Sequence, residues 1–83
     1  MAERPARLAL LTRAGCHLCI AAAETLERIG AEAGLAPELV DVDTDPELQA
    51  EFGDRVPVVL LDGQEHSYFT VDLPRLRRDL GLG

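Results

Sequence analysis

Within roughly 35 residues, Arg7 to Val42, the chain carries a strand pattern, a helix pattern and a second strand pattern, and no other feature narrows its fold as much. Arg7-Leu8-Ala9-Leu10-Leu11-Thr12 is a short apolar run that ends at a glycine-containing loop, Arg13-Ala14-Gly15, and reads as a buried strand. From Cys16 to about Ala33 the period becomes helical. Cys19, Ala22, Ala23, Leu26, Ile29 (or Gly30) and Ala33 recur at spacings of three and four, while Glu24, Glu27, Arg28 and Glu32 fall off that stripe. Gly34 supplies the stop, and Glu38-Leu39-Val40-Asp41-Val42 is the second strand. Two strands joined by a helix must lie parallel, with a right-handed crossover.

The rest of the chain adds smaller elements. Asp43-Thr44-Asp45-Pro46-Glu47 has a capping acid, a proline for the first turn and a following glutamate, so a helix should run from there to about Phe52 and stop at Gly53. Val56-Pro57-Val58-Val59-Leu60-Leu61 is a third strand. Asp62-Gly63 is a strong hairpin signal that should return a fourth strand, Gln64 to about Phe69, antiparallel. Asp72-Leu73-Pro74 opens a last helix with Leu73, Leu76 and Leu80 on one side and Arg75, Arg77 and Arg78 mostly on the other. The predicted order is β-α-β-α-β-β-α. The 83 residues make a single domain, 1–83 with its core at about 7–80, that buries only roughly 60–65% of its unfolded surface.

Eight arginines, no lysine and fifteen acids give a net charge of −7. A nucleic-acid binder needs a basic footprint to displace counterions, and an anionic membrane surface needs the same, so neither partner is expected. Much of the acid (Glu38, Asp41, Asp43, Asp45, Glu47, Glu51, Asp54) lies in one stretch and reads as a solvated face with helix-capping acids. Within that stretch Asp41-Val42-Asp43-Thr44-Asp45 has the opening of a calcium loop, but Pro46 stands where glycine is required and Phe52 where glutamate is required. Apolar runs such as Val56 to Leu61 stop far short of the ~18 residues of a membrane span. The amino end, Met1 to Arg7 followed by only Leu8 to Leu11, is too short in its apolar part for a signal peptide. The expected compartment is therefore the cytoplasm, and the expected state a monomer.

Cys16 and Cys19 are the whole thiol inventory. In a reducing compartment a structural disulfide closing so small a loop would constrain the unfolded chain very little. Residues three apart on a helix share a face and lie within disulfide reach. Cys16, at the helix start, meets free backbone N–H groups and the positive end of the helix dipole, which favour the thiolate. Cys16 is thus the expected nucleophile and Cys19, one turn further in, the resolving thiol. Zinc is not expected, because the only further nitrogen ligands are His17, between the cysteines and directed off their face, and His66 on a distant strand. His17 is instead a candidate for tuning the Cys16 thiolate.

The run Leu10-Leu11-Thr12-Arg13-Ala14-Gly15-Cys16-His17-Leu18-Cys19, with Val56-Pro57-Val58 downstream, resembles the small glutaredoxin-like proteins of the thioredoxin superfamily. The resemblance runs from Arg7 to Leu80 in element order as well as motif. It implies an α/β thioredoxin-like fold, a four-stranded mixed sheet ordered 2-1-3-4 with helices on both faces, and a cis bond before Pro57. By the same resemblance the loop ending at Pro57 lies beside Cys16, and the backbone of Val56 pairs with an extended thiol substrate. It gives Arg13 to a glutathione carboxylate and makes Asp72 the match to an acid that holds the other end of that tripeptide. His17 and Leu18, between the cysteines, complete the candidate substrate contacts.

Several residues depart from that family's pattern. His17-Leu18 replaces Pro-Tyr or Pro-Phe, Arg55 precedes Val56-Pro57 in place of threonine, and Ser67-Tyr68-Phe69-Thr70-Val71-Asp72 lacks a Gly-Gly turn. Tyr68 and Phe69 should cover the core or the rim of the site. Tyr68-Phe69-Thr70 should resist positive φ and fill the space a tripeptide needs, so glutathione is expected to bind weakly if at all. The expected activity is reduction of protein or small-molecule disulfides with no bound cofactor. Electrons would come from a reductase, or from glutathione as co-substrate. The rival readings are a non-catalytic binding module with a groove around Pro57, and a carrier of an iron–sulfur cluster shared between two chains.

Overall fold

The computed structural model describes residues 7–82; the sequence reading of the amino end lies outside these residues. The order is β1 (Leu8–Thr12), α1 (His17–Ala33), β2 (Glu38–Asp41), a 3-10 turn (Val42–Thr44), α2 (Pro46–Phe52), β3 (Val58–Leu61), β4 (Gln64–Tyr68) and α3 (Leu73–Asp79). The sheet runs β2-β1-β3-β4, with β1 and β2 parallel and the other two pairs antiparallel. The βαβ unit and the mixed sheet implied by the sequence are both present. The strands are shorter than the sequence suggests, β2 and β3 the most plainly. β2 gives up Val42 to the 3-10 turn, and Val56 and Pro57 lie ahead of β3.

Strand alternation sorts the core into two layers. On one face Leu8, Leu10 and Val59 meet Ala22, Leu26 and Ile29 of α1 and Leu76 of α3; on the other Leu11 and Val58 meet Val42 and Phe52 from the α2 side. The antiparallel register, Leu10 opposite Val59 and Leu11 opposite Val58, keeps each layer's residues side by side. Gly34 ends α1 in the left-handed region (φ 73°), and the Leu35 N–H returns to the Gly30 carbonyl at 2.8 Å, the double-bonded helix stop that glycine favours. Asp45 caps α2 by accepting the N–H groups of Glu47 and Leu48, and Asp62-Gly63 turns the hairpin with φ of 54° and 83°.

Two expectations need correction. Leu73, assigned to the buried side of α3, is 37% exposed, because only Leu76 of that short helix reaches the sheet. Phe69 takes a positive φ of 68°, which the bulk of its side chain was expected to prevent. Its N–H donates to the carbonyls of Pro57 (2.8 Å) and Arg55 (3.4 Å), and these bonds hold the left-handed turn after β4. Of the two places expected for Tyr68 and Phe69, the core and the rim of the site, the structure excludes the core: both are about half exposed, ring edge against ring face.

Candidate functional site

The loop between β1 and α1 delivers the cysteines. Gly15 takes φ 76°, which lets the chain leave the sheet and enter the helix abruptly, and Cys16 follows as the N-cap of α1 with extended backbone angles. Its Sγ stands where a serine or aspartate oxygen usually sits and accepts the Cys19 N–H at 3.2 Å. Cys16 and Cys19 are joined as a disulfide, with Cα atoms 5.2 Å apart, inside the range such a bridge requires. Cys19 is 4% exposed, on the buried stripe of α1, whereas Cys16 is only partly covered. No acid occupies the first turn of α1, so nothing there offsets the positive end of its dipole.

Two further segments meet at this end of the sheet. With Leu11 opposite Val58, the antiparallel register carries Pro57 to the level of Thr12, where β1 gives way to the cysteine loop. The Val56–Pro57 bond is cis, as the resemblance implies, and Pro57 is fully buried while Val56 keeps some surface. Phe69, bonded to the Pro57 carbonyl, brings the β4–α3 turn to the same end. A cleft of about 310 Å³ opens between α1 and this turn, lined by Leu18, Thr25, Phe69, Val71 and Leu73 among others. A second depression, about 290 Å³, flanks Cys16 and Cys19 on the other side, between Arg13, Ile20 and Leu39. A larger cavity of about 530 Å³ lies on the α2 face near Leu48, at the opposite end of β1, and is lined by no thiol.

The remaining candidates fall as follows. Leu18 is exposed in the first cleft, and His17, the first helical residue, is exposed to solvent. Arg13 is occupied by the chain itself: its guanidinium lies 3.1 Å from Asp43 Oδ1 and donates to the Gly53 carbonyl at 3.3 Å. Asp72 caps α3 by accepting the Arg75 N–H at 3.3 Å, and its other oxygen lies 3.9 Å from Arg75 Nε. Among the described residues, no three His, Cys, Asp or Glu side chains gather as a metal site; His66 is held 2.8 Å from Asp79 Oδ2, on the α3 side.

Sequence reasoning assigned no site role to Arg55 or Leu73. Arg55 pairs with Glu65 at 3.2 Å and lies over the Phe52 ring at 5.3 Å, so the second arginine at this end is also neutralised. Phe69 was signalled by the absence of glycine before Asp72, which leaves the turn to a residue whose side chain lines the cleft.

Comparison with known proteins agrees with this architecture. The family model of the glutaredoxin-like domain (DUF836) matches residues 7–81. The uncharacterized proteins Rv0508 of Mycobacterium tuberculosis and Mb0520 of Mycobacterium bovis are each 52% identical over 83 aligned residues, covering 94% of this chain and 84% of theirs. Among solved structures, protein Ne2328 of Nitrosomonas europaea superposes with a TM-score of 0.80 at 23% identity, over 95% of both chains. Protein XcR50 of X. campestris gives 0.71 at 38% identity, over 92% of this chain and 97% of its own. Thioredoxin of Fasciola hepatica gives 0.60 at 22%, over 93% and 79%. With a thioredoxin-like fold, a Cys-x-x-Cys pair at the start of α1 and a family match from β1 to the end of α3, the chain belongs to the glutaredoxin-like domain family.

Proposed function

We propose that the chain is a thiol–disulfide oxidoreductase. The observation that carries this reading is the pair's asymmetry: Cys16 is accessible at a helix N-cap, while Cys19 is buried one turn behind it with its N–H on Cys16 Sγ. In the reduced protein that N–H and the helix dipole favour the Cys16 thiolate. The thiolate attacks one sulfur of a substrate disulfide, forming a Cys16–substrate bond as the other substrate sulfur leaves as a thiolate. Cys19, deprotonated, then attacks Cys16 Sγ and expels the second substrate sulfur. Two electrons pass to the substrate, the two protons lost by the cysteines end on its thiols, and the Cys16–Cys19 bond remains. An external thiol or dithiol reverses it. The backbone of Val56, a residue that keeps some surface, is the proposed docking point for the extended substrate.

Glutathione is proposed as a poor ligand, with a dissociation constant in the millimolar range or weaker, about 4 kcal/mol of binding at most. Arg13 and Arg55 are both spent on internal carboxylates, Asp72 is spent on the α3 cap, and Phe69 projects where the turn would need to be bare. Equilibration against glutathione redox buffers, read by mass, tests the redox reading: a reversible intramolecular disulfide is expected, at a potential of roughly −180 to −270 mV as in other dithiol proteins. If the thiols stay free even in oxidising buffer, the redox reading falls and the fold is serving as a binding module.

A further inference from the structure

The cleft beside the cysteines has a composition that selects its ligand. Its exposed lining is Leu18 at 55%, Phe69 at 46% and Leu73 at 37%, with Val71 and Thr25 behind them, and no charged side chain lines it. Neither cysteine lines the cleft, but Leu18 stands between them in the sequence, so the Leu18 end of the cleft is the one nearest the thiols. Leaving three large apolar side chains in water at the mouth of a narrow cleft forgoes burial on folding that a ligand can supply on binding. The charges around it point the same way. Arg55, whose carbonyl accepts the Phe69 N–H, is neutralised by Glu65, and the chain carries −7 overall, so an anionic ligand gains little here while a cationic one is attracted.

Building on the oxidoreductase reading, we infer that Leu18, Phe69 and Leu73 form a specificity cleft for a polypeptide substrate, taking a bulky apolar side chain next to the target cysteine with basic residues flanking it. The cleft's volume of about 310 Å³ suits one large side chain, not a folded surface. The substrate class is therefore an extended, basic protein segment bearing a disulfide.

The test uses the dithiol-reduced full chain and symmetric disulfides of short peptides whose cysteine is flanked by leucine with arginine, glycine with arginine, leucine with glutamate, or glycine with glutamate. Rates are normalised to reduction of the same peptides by a small dithiol, and 2-hydroxyethyl disulfide serves as a substrate with no side chain to place. The leucine peptides should react about tenfold faster than their glycine counterparts, and the arginine peptides faster than the glutamate ones, with the arginine advantage shrinking as salt rises. Leu73→Ser should collapse the leucine preference, and Leu18→Ser, on the opposite wall, should do the same if the first variant folds poorly. Equal rates for leucine and glycine peptides, or a preference that survives both folded variants, would overturn the cleft assignment while leaving the redox reading intact. Failure to reduce 2-hydroxyethyl disulfide and every peptide would overturn the redox reading, and the cleft with it.

Discussion

Cys16 does two jobs at the residue scale, capping α1 through its sulfur while remaining only partly covered. In the Cys19→Ser variant, thiolate absorbance should show Cys16 titrating well below the free-thiol range, because the helix N-terminus and the residue-19 N–H stabilise the anion. In the reciprocal Cys16→Ser variant, Cys19 should alkylate at least tenfold more slowly than Cys16 does, since it is 4% exposed. Finding the two thiols equally reactive would remove the division of roles. These residues were legible in the sequence because a fixed spacing at a strand-to-helix junction has one geometric outcome. Phe69 was not legible. Intrinsic preference argues against a left-handed phenylalanine, and only the tertiary bonds from its N–H to Pro57 and Arg55 override that preference. Arg13 was legible as a basic residue near the thiols. Its partner Asp43, thirty positions away, is set by how the β2–α2 turn folds back.

Elements were readable wherever a local cap or period defined them, and α1 shows why. Gly34 has open space around it, so Gly34→Ala should cost only the left-handed backbone, about 1 kcal/mol. Gly30 is different: a Cβ there would stand 2.7 Å from the Leu35 carbonyl oxygen and 3.1 Å from the Pro37 ring, so Gly30→Ala should cost about 1–3 kcal/mol through overpacking. Urea denaturation of the two variants checks the order; a milder effect at Gly30 would contradict the packing of α1 against the Leu35–Pro37 turn. The join between β4 and α3 was the least readable. Leu60 pairs with Glu65 and Val59 with Ser67, so His66 is the extra residue of a β-bulge. The bulge turns its side chain, 6% exposed, onto α3, where Nε2 meets Asp79 Oδ2 at 2.8 Å and Arg75 Nε at 3.3 Å while Arg75 also bonds the His66 carbonyl. A period-two reading cannot show an inserted residue. His66→Ala should lower unfolding free energy by about 1–3 kcal/mol, measured by urea denaturation, through loss of a buried side chain and its bonds to α3.

For the whole molecule the stability margin is small, and α3 is where it is most concentrated. At about 0.05–0.15 kcal/mol per residue, 83 residues give a total of roughly 4–12 kcal/mol. A helix of seven residues has almost no stability of its own, so α3 depends on what it buries. It buries one residue completely, Leu76, among Leu8, Leu10, Ala22, Leu26, Ile29 and Val59. Leu76→Ala should therefore cost about 2–5 kcal/mol, the range for truncating a leucine in a packed core, which is about a sixth of the total at the least. The loss should spread beyond stability, because α3 anchors one wall of the cleft through Leu73. Amide exchange should accordingly quicken across α3 and the turn before it, with α1 and β1 less affected. Leu73→Ser, three residues earlier on the same helix but at the surface, should change stability by less than about 1 kcal/mol. Denaturant midpoints for the two variants decide the matter: if Leu73→Ser proves as damaging as Leu76→Ala, Leu73 belongs to the core and the cleft beside Cys16 is not an open one.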